Sequence, residues 1–187
     1  MSIVGIDEVG RGCWAGPLVA GAVILDKPIR GLNDSKKLSK RQREKLAAEI
    51  QIEAGAIGLG WVSAEELDKV GITTAVKLAM ERALKQITTP YDEVIIDGNI
   101  NYLPAEPRAK AVIKADATVP AVSAASIVAK VARDAYMAQL DDTYAVYGFE
   151  KHVGYGTAAH VAALQQFGVS DIHRRSFKPI KALLEAA

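Results

Sequence analysis

Asp7 and Glu8 end the apolar run Ile3-Val4-Gly5-Ile6, where a strand passing through a core carries charge only for a reason. Adjacent strand residues point to opposite faces, so both carboxylates serve one site only if the strand ends or twists there. Gly10 and Gly12 permit such a departure. Alone, two acids beside a turn read as a solvated strand end. Two further acids weigh against that reading: Asp97 closes Val94-Ile95-Ile96, and Asp116 follows Val112-Ile113-Lys114-Ala115. Three apolar strands thus finish in carboxylates. Laid side by side, four acids would repel one another unless cations were bound. Hard oxygen donors of this kind suit Mg2+ or Mn2+ rather than zinc. Two such ions about 4 Å apart could activate a water, stabilise charge on a phosphoryl group and assist the leaving oxygen of an in-line displacement. The spacing supplies the acids, not their convergence.

The elements that must position these acids are legible in the hydrophobic pattern. Residues 2–9 and 18–25 are β-branched and apolar, with turn chemistry between them from Gly10 to Pro17, and residues 56–62 form a third strand. A helix over residues 39–52 separates the second and third strands, with Ser39 as its cap and Leu46 and Ile50 on one face. Helices follow over 64–70 and 73–87, the second with Val76, Met80 and Leu84 on one stripe. Strands return at 93–96 and 111–113. The last third is helical over 120–140, 157–167 and 179–186, with Gly168 ending the middle helix. This order predicts an α/β fold, a mixed sheet flanked by helices with a helical C-terminal portion.

Length and composition bound what such a chain does. With 187 residues, half of them hydrophobic and 24% charged, the chain reads as one globular domain over residues 1–187, without repeats or low-complexity linkers. No run approaches the ~18 to 20 apolar residues that span a bilayer, and the N-terminus lacks the pattern of a cleaved secretion signal, so a cytoplasmic location is expected. Cys13 is the single cysteine, which excludes an internal disulfide and a multi-cysteine zinc site. His152, His160 and His173 are dispersed along the chain and have no cysteine companions, which also argues against zinc. Net charge is only +1, yet Lys36, Lys37, Lys40, Arg41, Arg43 and Lys45 crowd one segment, and His173, Arg174, Arg175 and Lys178 another. Each cluster reads as a solvated helix face or as a phosphate contact.

The run Gly5-Ile6-Asp7-Glu8-Val9-Gly10-Arg11-Gly12, followed by Ala15-Gly16-Pro17, resembles the opening signature of the ribonuclease HII family. Further matches follow in order: Leu32-Asn33-Asp34-Ser35-Lys36-Lys37-Leu38, Asp97-Gly98-Asn99, Lys114-Ala115-Asp116, the run from Ser123 to Asp134, Gly154-Tyr155-Gly156-Thr157, and His173-Arg174-Arg175-Ser176-Phe177. They extend from about residue 3 to residue 180. The resemblance implies a ribonuclease H-like fold with a mixed five-stranded sheet. It also implies hydrolysis of the RNA strand of RNA:DNA hybrids, and incision 5′ of single ribonucleotides in duplex DNA, leaving 5′-phosphate and 3′-hydroxyl ends. The family's metal-binding, catalytic acids fall on Asp7, Glu8, Asp97 and Asp116, with Mg2+ or Mn2+ as cofactor. Its turn that reads the ribose 2′-hydroxyl falls on Gly10, Arg11 and Gly12, whose glycines let the backbone approach closely. Tyr155 matches the tyrosine that packs against the deoxyribose on the 3′ side of the junction.

By the same resemblance Lys36 and Lys37, after Asp34-Ser35, fit a phosphate-contacting loop, and Arg174 and Arg175 are candidates for contact with the duplex backbone. Ser39 reads as a helix cap. Lys130 and Arg133 could face substrate phosphates, and Asp134 is expected to pair with a basic neighbour. The small residues from Ser123 to Ala129 read as a helix face packed close to the sheet. The chain departs from the family at Val153, where lysine is common and Lys151 could substitute, and at Cys13 and Trp14. A start directly on the catalytic strand and the Gly-Arg-Gly turn favour type HII over type HIII. The expected partners are hybrids and ribonucleotide-containing DNA, with a monomeric protein and no evident clamp-binding motif at the C-terminus. The alternatives are another metal nuclease of the same fold, such as a resolvase or exonuclease, or a non-catalytic hybrid-binding module.

Overall fold

The computed structural model describes residues 1–33 and 35–186, without the side chain of Lys36. Strands β1 (Ile3–Val9) and β2 (Leu18–Leu25) are followed by α1 (Lys40–Glu53), β3 (Ala54–Val62), α2 (Ala64–Val70) and α3 (Ile72–Leu84). Then come β4 (Glu93–Asp97), β5 (Ala109–Val112), the single turn α4 (Ala115–Thr118) and the long α5 (Pro120–Gln139). The chain closes with α6 (Asp141–Tyr144), α7 (Phe149–His152), α8 (Ala158–Phe167) and α9 (Lys178–Ala186). Local chemistry sets several of these bounds. The Ser39 side chain accepts from Gln42 N while the Gln42 side chain returns to the Ser39 N–H, closing a capping box on α1. Pro120 occupies the first turn of α5, where a missing N–H costs nothing. Gly168, at φ 78°, ends α8.

The five strands form one mixed sheet in the order β3-β2-β1-β4-β5. β1 pairs antiparallel with β2 and parallel with β4, in register Ile6↔Ile96, so that Asp7 and Asp97 come one step later on neighbouring strands. Alternation along β1 sorts its side chains between two layers. Val4 and Ile6 join Ala75, Val76, Ala79 and Met80 of α3 in the larger core. On the other face Val23 packs with Leu46, Ala47 and Ile50 of α1 and with Ala124, Ile127 and Val128 of α5. Gly5 and Gly21 let α5 approach that face: a Cβ at Gly5 would lie 2.1 Å from the backbone carbon of Ala121, and one at Gly21 would lie 2.5 Å from Ala125 O. The small-residue run of α5 therefore rests on bare strand backbone, as its composition predicted.

Three sequence expectations need correction. The helix expected to reach Ile87 stops at Leu84, because its end tightens into i→i+3 bonds from Gln86 to Ala83 and from Ile87 to Leu84. The strand expected at 111–113 is β5, and Ile113 beyond it is 69% exposed. Lys114 then takes the left-handed conformation, at φ 59° and ψ 34°, and turns the chain into α4. Asp116 thus sits on a helical turn, not at a strand end.

We expect Gly5→Ala to lower the urea midpoint by the equivalent of roughly 1–3 kcal/mol with little change in slope, because the new methyl group meets α5 backbone and not a movable side chain. An unchanged midpoint would show that α5 can shift freely on the sheet.

Candidate active site

At the C-terminal ends of β1 and β4 a pocket of about 400 Å³ opens. Asp7, Glu8 and Asp97 line it together with the turn Gly10-Arg11-Gly12. Opposite stand Ser126 and Lys130 of α5, Ser35 and Arg43 from the segment leading into and through α1, and Tyr155 from the loop before α8. Both neighbouring acids of β1 reach this one space because the strand ends at Val9, so the opposition of successive side chains no longer separates them. Asp116 is not on the pocket wall, but its backbone N–H donates to Asp97 Oδ1 at 3.3 Å, which joins α4 to the acid group.

Burial is the main force on Asp7 and Glu8. Desolvation pushes Asp7 up to about 7, a hydrogen bond from Ser126 opposes the shift, and the charges of Glu8 and Asp97 add to it. Glu8 is also raised by burial, with Arg11 at 3.6 Å working against the rise and Asp97 working with it. Among the described residues no three His, Cys, Asp or Glu side chains form a ready-made metal cage. The donor set nonetheless fits a hard divalent cation: the carboxylates are oxygen donors, partly withdrawn from water, and Asp7 has its two acidic neighbours as its chief charged company.

The turn and the tyrosine loop are fixed from behind by two buried arginines. Arg133, fully buried, donates from Nε to Pro17 O at 2.8 Å, from Nη1 to Val153 O at 2.9 Å and from Nη2 to Ala15 O at 3.2 Å. Arg174, equally buried, donates from Nε to Gly16 O at 3.0 Å and from Nη1 to Arg11 O at 3.1 Å. Trp14 N donates to Gly154 O at 2.8 Å and Arg174 N to Trp14 O at 2.7 Å, so the turn lies between the tyrosine loop and the segment before α9. Gly10, at φ 87°, has no room for a Cβ, which would meet Arg133 Nε at 2.2 Å. Val153 holds φ 45°, a left-handed conformation that costs a β-branched residue on the order of 1–3 kcal/mol, and its carbonyl is one of the three that Arg133 takes.

The expected residues separate accordingly. Asp7, Glu8, Asp97, Gly10, Arg11, Gly12 and Tyr155 share the pocket, with Asp116 tied to it through Asp97. Lys37 is exposed and off the pocket wall, while Asp34 and the Lys36 side chain lie outside the described residues. Arg174 does not face a duplex: burial directs its guanidinium to main-chain carbonyls and lowers it to about 10, still cationic at neutral pH. Arg133 likewise gives its guanidinium to main-chain carbonyls and not to substrate phosphates. Arg175 borders a separate hollow with Asp68, Lys69 and Asp171, and its backbone N–H donates to Asp68. Lys130 does reach the pocket, paired with Asp134 at 2.8 Å and 6.0 Å from the Tyr155 ring centre. The three histidines, dispersed in sequence, are gathered in space, with His160 3.0 Å from His173 and stacked on His152. Ser35 and Ser126 were not foreseen as site residues; their hydroxyls meet at 2.9 Å. The i, i+4 spacing of Ser126 and Lys130 on α5 was the signal that could have found Ser126.

A mixed five-stranded sheet with carboxylates gathered at the ends of its central strands, beside a glycine-flanked turn, defines a nuclease of the ribonuclease H class. The family profile described as Ribonuclease HII matches residues 4–180. The chain is 50% identical over 186 residues to Ribonuclease HII of Halorhodospira halophila, covering 97% of this chain and 94% of that protein. It is 51% identical over 185 residues to Ribonuclease HII of Vibrio cholerae, covering 97% and 89%. The crystal structure of ribonuclease H2 from Pyrococcus horikoshii superposes with a TM-score of 0.85 at 28% identity, over 100% of this chain and 98% of that one. The chain belongs to the ribonuclease HII family. It is an endoribonuclease acting on RNA:DNA hybrids, in a family that depends on divalent metal ions.

The raised acid has a measurable consequence. Between about pH 4 and 7 the folded chain keeps a proton on Asp7 that the unfolded chain has released, so this contribution to stability is lost as pH rises through 7. The full loss is roughly 4 kcal/mol. His173, lowered to about 4, acts in the opposite sense below pH 6.5, so the difference between parent and variant isolates Asp7. In EDTA, Asp7→Asn should be more stable than the parent by an amount that grows from pH 4 and levels off above pH 7, read from urea melts at each pH. A pH-independent difference would mean that Asp7 ionises normally.

Proposed function

We propose that the chain cuts the RNA strand of hybrids, and incises 5′ of single ribonucleotides in duplex DNA, with Asp7, Glu8, Asp97 and Asp116 as its catalytic and metal-binding acids. The observation that carries this assignment is the meeting of Asp7, Glu8 and Asp97 with the Gly10-Arg11-Gly12 turn and Tyr155 around one pocket. The four acids would hold Mg2+ or Mn2+. When bound, the metal supplies positive charge to the phosphoryl group and to the oxygens that attack and leave it.

The chain's own residues do the rest. Asp7, the most desolvated acid, is positioned by the Ser126 hydroxyl and by its own bond from Glu8 N at 2.8 Å. The Gly10-Arg11-Gly12 backbone offers amides and carbonyls to a 2′-hydroxyl at the pocket edge, and the half-exposed Arg11 partners Glu8 there. Lys36, Lys37 and Lys130 supply positive charge for phosphates, with Arg175 as a more distant contact. The Tyr155 ring, 42% exposed beside the pocket, packs against the sugar on the far side of the junction. All these groups come from one chain, which supports a monomer. Among the described residues no helix is long and apolar enough to cross a membrane. A cytoplasmic location is proposed, with which a chain holding one cysteine, and so no internal disulfide, agrees.

The test is incision of a labelled DNA duplex carrying one ribonucleotide, with Mg2+ or Mn2+, beside an all-DNA duplex. Cleavage 5′ of the ribonucleotide, absent from the all-DNA control and reduced at least ~100-fold in Asp7→Asn and Asp116→Asn, is the expected result. A fully active Asp116→Asn enzyme would remove that acid from the site. Tyr155→Ala should lose roughly tenfold more on the single ribonucleotide than on a long hybrid, and equal losses would remove its junction role.

A further inference from the structure

Behind the tyrosine loop the three histidines form a buried network that the reaction does not itself use. Its hydrogen bonds can be assigned from the ends inward. Ser170 N–H, which can only donate, lies 3.0 Å from His173 Nδ1, with Ser170 Oγ at 2.7 Å from the same atom. His173 Nδ1 is therefore an acceptor, and the proton of the neutral ring sits on Nε2. That atom is 3.0 Å from His160 Nε2, which must accept, leaving the His160 proton on Nδ1. Nδ1 is 2.9 Å from the Tyr155 carbonyl, which can only accept. Both ends thus demand the same direction. His152 repeats the logic: Nε2 donates to Tyr147 O at 2.8 Å, and Nδ1 accepts from Gly154 N at 3.3 Å.

We propose that His173 and His160 are positioning residues for the site, a one-way hydrogen-bond chain from Ser170 that fixes the Tyr155 carbonyl and so the angle at which the Tyr155 ring meets its substrate. His152 holds the preceding residue, Gly154, from the other side. The inference rests on the reading of Tyr155 as a substrate contact. A proton added to either ring would set N–H against N–H, at Ser170 or between the rings, so the chain works only when neutral. The surroundings favour that state. His160 and His173 are buried, Phe149 and Tyr147 pack on them edge-on, and burial lowers both rings. Of the titratable groups around them, each ring opposes protonation of its neighbours, His160 acting most on His173 and His152 on both, whereas Asp171, whose carboxylate accepts from the Tyr144 hydroxyl at 2.6 Å, favours protonation of His173 but is outweighed by burial.

Two measurements on the full chain test this. In the protein labelled with 15N-histidine, long-range 1H–15N spectra at pH 7 should show neutral His160 protonated on Nδ1 and neutral His173 protonated on Nε2, with His173 not titrating between pH 7.5 and 5.5 and His160 titrating only below the ordinary histidine range. A charged His160 or His173 ring at pH 7, or His160 protonated on Nε2, would overturn the proposal. In cleavage of the single-ribonucleotide duplex, His160→Asn keeps a donor at the Nδ1 position and should stay within about threefold of the parent. His160→Gln, which lacks it, should lose on the order of tenfold in kcat/KM. Added to Tyr155→Ala, His160→Gln should cause no further loss, because both act through the same ring. Additive losses would make His160 a stability residue and overturn the proposal. Unchanged cleavage by Tyr155→Ala would instead sink the substrate role of Tyr155, and the tautomers would still decide the direction of the chain.

Discussion

A carboxylate withdrawn from water beside two other carboxylates is the constraint around which this fold is arranged. Asp7 is buried because α5 lies directly on the backbone of β1 and β2, and α5 can lie there because Gly5 and Gly21 have no side chains to hold it off. The parallel pairing of β1 with β4 then brings Asp97 to the same level. Close packing and charge concentration are thus one feature: the contact that stabilises the sheet–helix layer also removes solvent from the acids and creates their need for a countercharge. Ser126 relieves part of that cost, being the polar residue that the packed face of α5 presents to Asp7.

The two halves of the pocket are built by different means. Asp7, Glu8 and Asp97 are fixed by strand pairing, which leaves little freedom in direction. The turn and the tyrosine loop have no such ladder and depend on Arg133, Arg174 and the histidine chain, each donating to main-chain oxygen. The two guanidinium groups lie close behind the pocket, a positive background facing acids that repel one another, while the histidine chain adds no charge.

Much of this was legible in the sequence, and the failures share a physical cause. Strands β1 and β2, the cap at Ser39 and helix α2 are set by local pattern and capping chemistry, and these were read to within a residue or two. The four-residue turns α4, α6 and α7 are too short to show a helical period, so the position of Asp116 on α4 was hidden. Arg133 and Arg174 read as contacts for substrate phosphates because composition does not reveal burial; what takes up their guanidinium groups is a set of carbonyls in the turn, supplied from more than a hundred residues away, and for Arg133 one in the tyrosine loop as well. The histidines looked unrelated for the same reason. Separations of 8 and 13 residues become direct contact once α7, α8 and the segment at residue 173 fold against Phe149.

The main-chain clamp on residues 11 to 17 also bears on how such a protein can change over evolutionary time. Arg133 and Arg174 read the peptide carbonyls of Arg11, Ala15, Gly16 and Pro17, and a carbonyl is identical whichever side chain stands beside it. At the exposed Arg11 the side chain can therefore change while the path of the turn persists, whereas the buried Cys13 and Ala15 and the packed Trp14 are limited by volume and not by the clamp. At Gly10 and Gly16 no side chain fits, because a first carbon would strike Arg133 or Met137. The segment thus divides into positions held by backbone, positions held by volume and the exposed Arg11, which is open to exchange, so variation there can tune the neighbourhood of the pocket without dismantling it.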